Sequence, residues 1–418
     1  MQNDKNSVLN IVTIPGDGIG KEIMPRIISL ANNTVAMYNT KHGTNLEFHF
    51  INGDMGKGAF EQYGEALPYH TLLLAQEHTI LFKGPTEAPS GNKTDGTPHT
   101  SANVALRKAG DYYACVRPVY HLPNVPTNFK KPDDVQWVIF RENSEGLYGM
   151  PNVSVEQSKR LLHYLGANSE FKSIADALLR DGNQVVQFGI ISENATKRIM
   201  RSALNYAIKN DLKVITLLHK NNIFKTADGM FTTWCKEVVE QEFADKAVRY
   251  PDNWKVNRQT IEEEYAKNGK IIVDDSIIDA FFVKSFEAPQ DFSVLVTENF
   301  KGDIISDYAA ALIGGLGVAP GSNNNFENGH MLLEATHGTA PNIEGKDIAN
   351  PSSMLLSLIF GLEQVGGEWA KYATVLKEAI IGIYKANEMT GDLARNAENA
   401  KQVSLSVFMD LVEENFAA

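Results

Sequence analysis

Lys83, Asn103, Arg107, Arg117, Arg141 and Lys220 are five cations and one amide, four of them just past apolar, strand-like runs. The chemistry open to such a set is capture of a small polyacid. Guanidinium forks meet carboxylates two bonds at a time, so three arginines brought together would hold a ligand with several carboxylates. Three separate surface or ion-paired arginines satisfy the same spacing. The chain carries 51 Asp and Glu against 39 Lys and Arg, so any such cluster concentrates positive charge against the overall balance.

Other segments carry chemistry beside a plainer role. Asp303 and Asp307 in GDIISD are four apart, which predicts two carboxylates on one helical face, and Asp275 and Asp279 repeat the spacing. Like charges so placed repel, and a hard divalent ion such as Mg²⁺ or Mn²⁺ would neutralise them; the plainer role is an N-cap at Asp303 with Asp307 solvated. Tyr148 closes RENSEGLYG, where nearby cations would lower its pKa and make it a proton donor, or it packs at a domain edge. Lys220 in LLHKNNIFK acts as a base if partly buried among cations, or else is solvated. In SANVALR a helix would put Asn103 and Arg107 on one face, with Ser101 at its start as ligand or N-cap. Gly16, Gly18 and Gly20 of IVTIPGDGIG lack dinucleotide-fingerprint spacing and predict a tight strand-to-helix turn. HGTAPNIEGKDIANP reads as a backbone-rich loop, either cradling a nucleotide or crossing the surface.

Positioning these residues requires an α/β frame. Apolar runs at 9–14, 79–82, 135–140, 185–191, 214–218, 271–273 and 293–296 predict strands between helical patterns. One helix follows Ser192, its N-cap, with Ile199, Ala203, Tyr206 and Ala207 in a stripe. Ligands in open α/β sheets collect beyond carboxyl strand ends, and Lys83, Arg141 and Lys220 each follow such a run. The stretches 90–99 and 321–329, rich in Gly and Asn, read as loops. A length of 418 residues predicts two domains. Cys115 and Cys235 lie in no metal or redox spacing and suit core positions in a reducing cytoplasm. A net charge of −12 opposes nucleic-acid and membrane-surface partners, no export signal is read at MQNDKNS, and the longest apolar stretch, 308–320, is too short for a bilayer.

The segments GDGIG, FKGP, SANVALR, VRP, RENSEGLYG, HKNN, DAF, GDIISD and HGTAPNIEGKDIANP stand in the order found in the β-decarboxylating dehydrogenases of 2-hydroxy acids, and the chain most resembles their dimeric bacterial isocitrate branch. The resemblance runs from about Leu9 to the last helix. It implies a two-domain α/β fold distinct from the Rossmann type. The large domain would comprise 1–112 and 314–418, the small one 113–145 and 193–313, and an intersubunit clasp 146–192. It implies a homodimer with shared active sites, in which Lys220 and Asp279 reach the partner's site. Substrate contacts would come from Lys83, Ser101, Asn103, Arg107, Arg117 and Arg141, and Ser101 with Asn103 marks isocitrate. Lys220 would take the hydroxyl proton and Tyr148 would protonate C3. Asp279, Asp303 and Asp307 would hold Mg²⁺ or Mn²⁺. The cofactor would lie on Asn222, His337, Gly338, Thr339, Ala340, Asn342, Ile343, Asn350 and Arg395. Relatives using NADP carry Lys and Tyr after HGTAP, where this chain has Asn342 and Ile343. That favours NAD, with Arg395 and Lys346 keeping NADP open. Two departures stand out: Glu87, where relatives often have Thr, and a longer loop at 90–100. Homoisocitrate or tartrate as substrate, a non-catalytic regulatory subunit, and a two-lobed anion-binding protein are the alternatives.

Overall fold

The computed structural model describes residues 6–89, 101–150, 153–180, 184–250 and 257–418. The strands of its main sheet are β1 (Asn6–Ile14), β2 (Asn45–Asn52), β3 (Ile80–Lys83), β4 (Ala114–Tyr120), β5 (Gln136–Glu142), β6 (Val214–His219), β7 (Ala247–Arg249), β8 (Ile271–Ile277), β9 (Val294–Thr297), β10 (Ser322–Asn325) and β11 (His330–Glu334). They form one sheet in the order β2-β1-β3-β11-β10-β4-β5-β9-β6-β8-β7. Strands from the two ends of the chain build one flank and strands from its middle build the other. Strands β3, β6 and β9 are buried along their whole length, as parallel strands covered on both faces must be. The mixed α/β architecture agrees with the sequence expectation.

The sheet corrects one part of that expectation. Both flanks are parallel, but the central pairs β11/β10, β10/β4 and β4/β5 are antiparallel. Three reversals leave the flanks running in opposite directions, so the charged strand ends do not share one edge. Lys83 ends a strand of one flank; Arg141 and Lys220 belong to the other. The cavity described below forms at the centre, where direction switches.

Two further readings are overturned. The run 185–191 forms no strand and makes only an isolated bridge from Ile190 to Gly146. Conversely Ser322–Asn325, read as loop, is the buried strand β10. Asn is a turn former by local preference, yet here each amide has a partner. Asn323 Nδ2 donates to Glu334 Oε1 at 2.7 Å, Asn324 Nδ2 to Ser322 Oγ at 2.7 Å and Asn325 Nδ2 to Asp111 Oδ2 at 3.2 Å. Hydrogen bonds with β4 and β11 on either side outweigh the propensity.

The helix Glu193–Lys209 starts at Ser192, whose side chain accepts from the Ala195 N–H, and Ile199, Ala203 and Ala207 are buried. Cys115 and Cys235 are both buried and free, as core positions should be. Among the described residues no helix is long and apolar enough to cross a membrane.

Candidate active site

A cavity of about 290 Å³ is lined by Lys83, Asn103, Arg107, Arg117, Arg141, Asp303, Asp307, Glu334 and His337, among others. Register explains the first contact: β3 pairs with β11 so that Lys83 lies opposite Glu334, with its Nζ 3.2 Å from Glu334 Oε2. Arg107, on the helix Ala102–Ala109, puts Nη2 2.7 Å from Glu334 Oε1, and Arg117 of β4 puts Nη2 3.3 Å from the same oxygen. Three cations therefore surround one buried carboxylate. Burial pushes the Glu334 pKa up, but Arg107, Lys83 and Arg117 outweigh it and hold the carboxyl well below its ordinary range. Burial draws the Lys83 ammonium downward, with Glu334 opposing. The cations remain incompletely satisfied: Arg107 Nε and Arg117 Nη1 are buried without a hydrogen-bond partner among the described residues. Such donors favour an anionic ligand.

Arg141 of β5 is held by Asn299 Oδ1, 3.0 Å from its Nε and 2.7 Å from its Nη2, while its Nη1 pairs with Asp303. Asp303 and Asp307 lie within the helix Asn299–Leu312, whose N-cap is Glu298. The capping role considered for Asp303 is thus excluded. Burial first, and then the Asp303 charge, raises the Asp307 pKa, the signature of like charges crowded together. Hard oxygen donors beside a cavity fit Mg²⁺ or Mn²⁺. Tyr148 Oη donates to Asp303 Oδ2 at 3.2 Å. Its pKa is raised, by burial and then by Asp303, with Arg141 opposing only weakly. The expected lowering by cations is therefore reversed, because partial burial disfavours the phenolate and the nearer charge is a carboxylate rather than a guanidinium.

The GDGIG turn anchors the opposite wall. Gly16 and Gly18 adopt positive φ of 74° and 57°, and a Cβ on Gly18 would lie 2.0 Å from Thr339 O. The close approach lets the Ile19 N–H reach Thr339 O at 3.0 Å, fixing the His337–Ala340 loop. Asp17 between the glycines is buried, and its carboxylate accepts from Lys57 N and Gly58 N, each at 2.9 Å, and from Glu87 N at 2.8 Å. Replacing Asp17 with Ala strands these donors, an expected loss of about 2–3 kcal/mol measurable by denaturant unfolding. Glu87 itself is exposed and turned outward, which relieves the repulsion its charge would impose on a polyanion. The 90–100 loop lies outside the described residues.

His337 Nε2 is buried without a partner among the described residues, while Gly338 borders open space. Burial holds the imidazole pKa down and so favours the neutral ring. An orphaned nitrogen beside room for a ligand fits a cofactor loop. Ala340 takes a left-handed conformation, φ 42°, and starts the short turn Pro341–Ile343. Asn342 and Arg395 are exposed, and Asn350 is buried against Asp392, 3.1 Å away.

Five of the six residues first singled out line this cavity; Lys220 does not. Its Nζ lies 2.6 Å from Asp279 Oδ1, and Asn222 follows on an exposed turn. Asp275 is on β8 and Asp279 on the helix Ile278–Glu287, so they share no helical face; Asp275 instead pairs with Lys236 at 2.6 Å. Ser101 occupies the N-cap position of its helix without a side-chain cap bond. Among the described residues no three His, Cys, Asp or Glu side chains gather at a metal position, so within one chain Asp279 does not join Asp303 and Asp307.

Sequence reasoning missed Glu334, Asp17, Asn323 and Asn143, whose Nδ2 donates to Asn323 Oδ1 at 3.0 Å. Glu334 meets the criterion that found Lys83, a charge ending an apolar run, but His330–Glu334 was not recognised as a strand.

The fold and cavity define an α/β protein with cations gathered around buried carboxylates at the centre of its sheet. A family profile, isocitrate/isopropylmalate dehydrogenase, matches residues 10–412, and the chain belongs to this oxidoreductase family. It is 36% identical to an isocitrate dehydrogenase (NADP) of Staphylococcus epidermidis, over 96% of this chain and 94% of that one. It is 34% identical to that of Haloferax volcanii, over 97% and 91%. Among solved structures it is similar to isocitrate dehydrogenase from Methylococcus capsulatus, with TM-score 0.75 and 29% identity over 98% of this chain and all of that one.

Proposed function

We propose that the protein oxidatively decarboxylates isocitrate to 2-oxoglutarate and CO₂ with a nicotinamide cofactor and Mg²⁺ or Mn²⁺. The charge of the cavity carries this reading. Lys83, Arg107, Arg117 and Arg141 face Glu334, Asp303 and Asp307, leaving one positive charge in excess; a divalent ion raises that to three, the complement of a tricarboxylate.

Arg107, Arg117 and Arg141 bind substrate carboxylates, with Lys83 beside them and Ser101 and Asn103 on the helix that carries Arg107. Asp303 and Asp307 would hold the divalent ion with Asp279 of a second subunit, and the loop from His337 to Ile343, with Asn222, Asn350 and Arg395, would hold the cofactor. When bound, the ion supplies Lewis-acid polarisation of the C2 oxygen and the nicotinamide supplies the hydride acceptor. Lys220, from the partner subunit, takes the C2 hydroxyl proton, and Tyr148 delivers a proton to C3 after the carboxylate has left. A homodimer is supported by exposed apolar side chains near these residues, including Ile223, Phe224, Val283, Phe286 and Ile304, and by others on 146–192 such as Ile174. The two-domain division and the clasp stand on the same reading, as does a cytoplasmic location.

NAD is the cofactor we favour, because the exposed Asn342 and half-buried Ile343 offer no charge to a ribose phosphate. The exposed Arg395 and the names of the relatives favour NADP as a second reading. The test is purified protein with Mg²⁺ and isocitrate, following reduced nicotinamide and CO₂ with each cofactor. Faster turnover with NAD is expected. A preference for NADP moves the cofactor assignment to the second reading, and no turnover with either removes the enzymatic one.

A further inference from the structure

Lys301 is a buried lysine two residues before Asp303 on the helix Asn299–Leu312. Its Nζ lies 2.8 Å from Glu298 Oε1 and 3.1 Å from Asp228 Oδ2. Asp228, also buried, lies in the first turn of the helix Ala227–Glu242, and its Oδ2 accepts the backbone N–H of Lys220 at 2.5 Å. Glu298 accepts the N–H groups of Phe300 and Lys301, each at 2.9 Å, and so caps the helix that bears Asp303 and Asp307. The turn between is closed as well: Ile223 N and Phe224 N both donate to Lys220 O at 2.9 Å, and Asp228 N donates to Phe224 O at 3.0 Å.

We infer that Lys301 is a positioning residue that, through Asp228 and Glu298, holds the Lys220 turn in register with the Asp303 and Asp307 helix. One ammonium faces two buried carboxylates; without it they repel each other, and although the β6/β9 pairing of Leu218 with Thr297 holds the strand ends together, the Lys301 ammonium is what joins the Asp228 end of the turn to Glu298 at the start of the helix. The inference rests on the proton-accepting role proposed for Lys220. Under that reading Lys220 serves the partner's cavity while Asp303 and Asp307 serve their own, so the Lys301 tie makes the two sites of a dimer one mechanical unit.

The test compares K301M, K301R and the double variant E298Q/K301M. The double variant removes one of the two carboxylates that K301M would leave uncompensated, and with it their mutual repulsion, while the Gln oxygen can still accept one of the two N–H groups that Glu298 caps, so it keeps the question open if K301M fails to fold. Two readouts are taken on the full-length protein: amide hydrogen exchange across residues 219–228, and kcat with KM for isocitrate at saturating Mg²⁺. In the double variant, exchange at the Lys220 amide is expected to quicken at least about tenfold and kcat to fall about tenfold or more, with KM changing less than about threefold. K301R restores both to within about threefold. Unchanged exchange refutes the tie, whatever the activity. Faster exchange with an unchanged kcat refutes the positioning role, as does a loss confined to KM, or an Arg variant that behaves like Met. A wild-type protein inert toward isocitrate instead strikes the reaction assigned above, while the exchange readout still judges the tie.

Discussion

Replacing Lys220 with Met is expected to lower kcat by about a hundredfold to ten-thousandfold, the range a positioned proton acceptor supplies, while leaving the fold in place. The asymmetry follows from the surroundings of the side chain. Its described contact is the ion pair with Asp279, whose side chain is 68% exposed, and pairs so open to water add little to stability. The turn that carries Lys220 is held by backbone groups, Ile223 N and Phe224 N on Lys220 O and Lys220 N on Asp228, none of which the substitution touches. Asp279 is held below its ordinary pKa chiefly by the Lys220 hydrogen bond, and the Met variant releases that part of the shift. The measurement is kcat at saturating isocitrate alongside the thermal midpoint. Wild-type turnover in the variant strikes Lys220 from the mechanism, and a large fall in the midpoint shows that the side chain supports the fold instead.

Glu334→Gln is expected to be the most destabilising single change in the cavity, at about 3–5 kcal/mol, because removing one partner of a buried ionic cluster strands the others. Lys83, Arg107 and Arg117 all lie within 3.3 Å of this carboxylate, and an amide cannot balance them. The pH dependence has a definite sign. The folded-state pKa of Glu334 lies below its unfolded value, so its contribution is complete above the unfolded value near ~4.3 and is lost as pH falls through the folded one. The gap between wild type and variant should be constant from neutral pH down to about 5 and close only in stronger acid. A polyanion such as citrate should recover part of the variant's stability by replacing the missing charge, to a degree set by its affinity. Denaturant unfolding across pH, with and without citrate, reads all three. A variant as stable as wild type at pH 7 means the cations are solvated and the cluster contributes nothing.

Much of the frame was legible because local sequence encodes it. Apolar runs announced β1, β3, β5, β6, β8 and β9, and the spacing of Asn103 from Arg107 and of Asp303 from Asp307 placed each pair on one helical face, since 3.6 residues per turn bring i and i+4 together. Where tertiary partners override local preference, reading failed. The Asn-rich β10 is a strand only because β4 and β11 pair with its backbone while Glu334, Ser322 and Asp111 accept from its side-chain amides. The apolar run 185–191 never became a strand because, apart from the bridge at Ile190, no described neighbour pairs with it.

The sequence by itself determined which side chains are present and which face of a helix or strand each occupies, along with the family to which the chain belongs. Only the tertiary structure decided which charges meet. Glu334 reaches Arg107 across 227 positions and Arg117 across 217, and Arg141 meets Asp303 across 162. Pairings that distant leave no periodic trace along the chain. They arise where antiparallel strands at the sheet centre join two flanks running in opposite directions, and there burial makes each cation require a counter-charge.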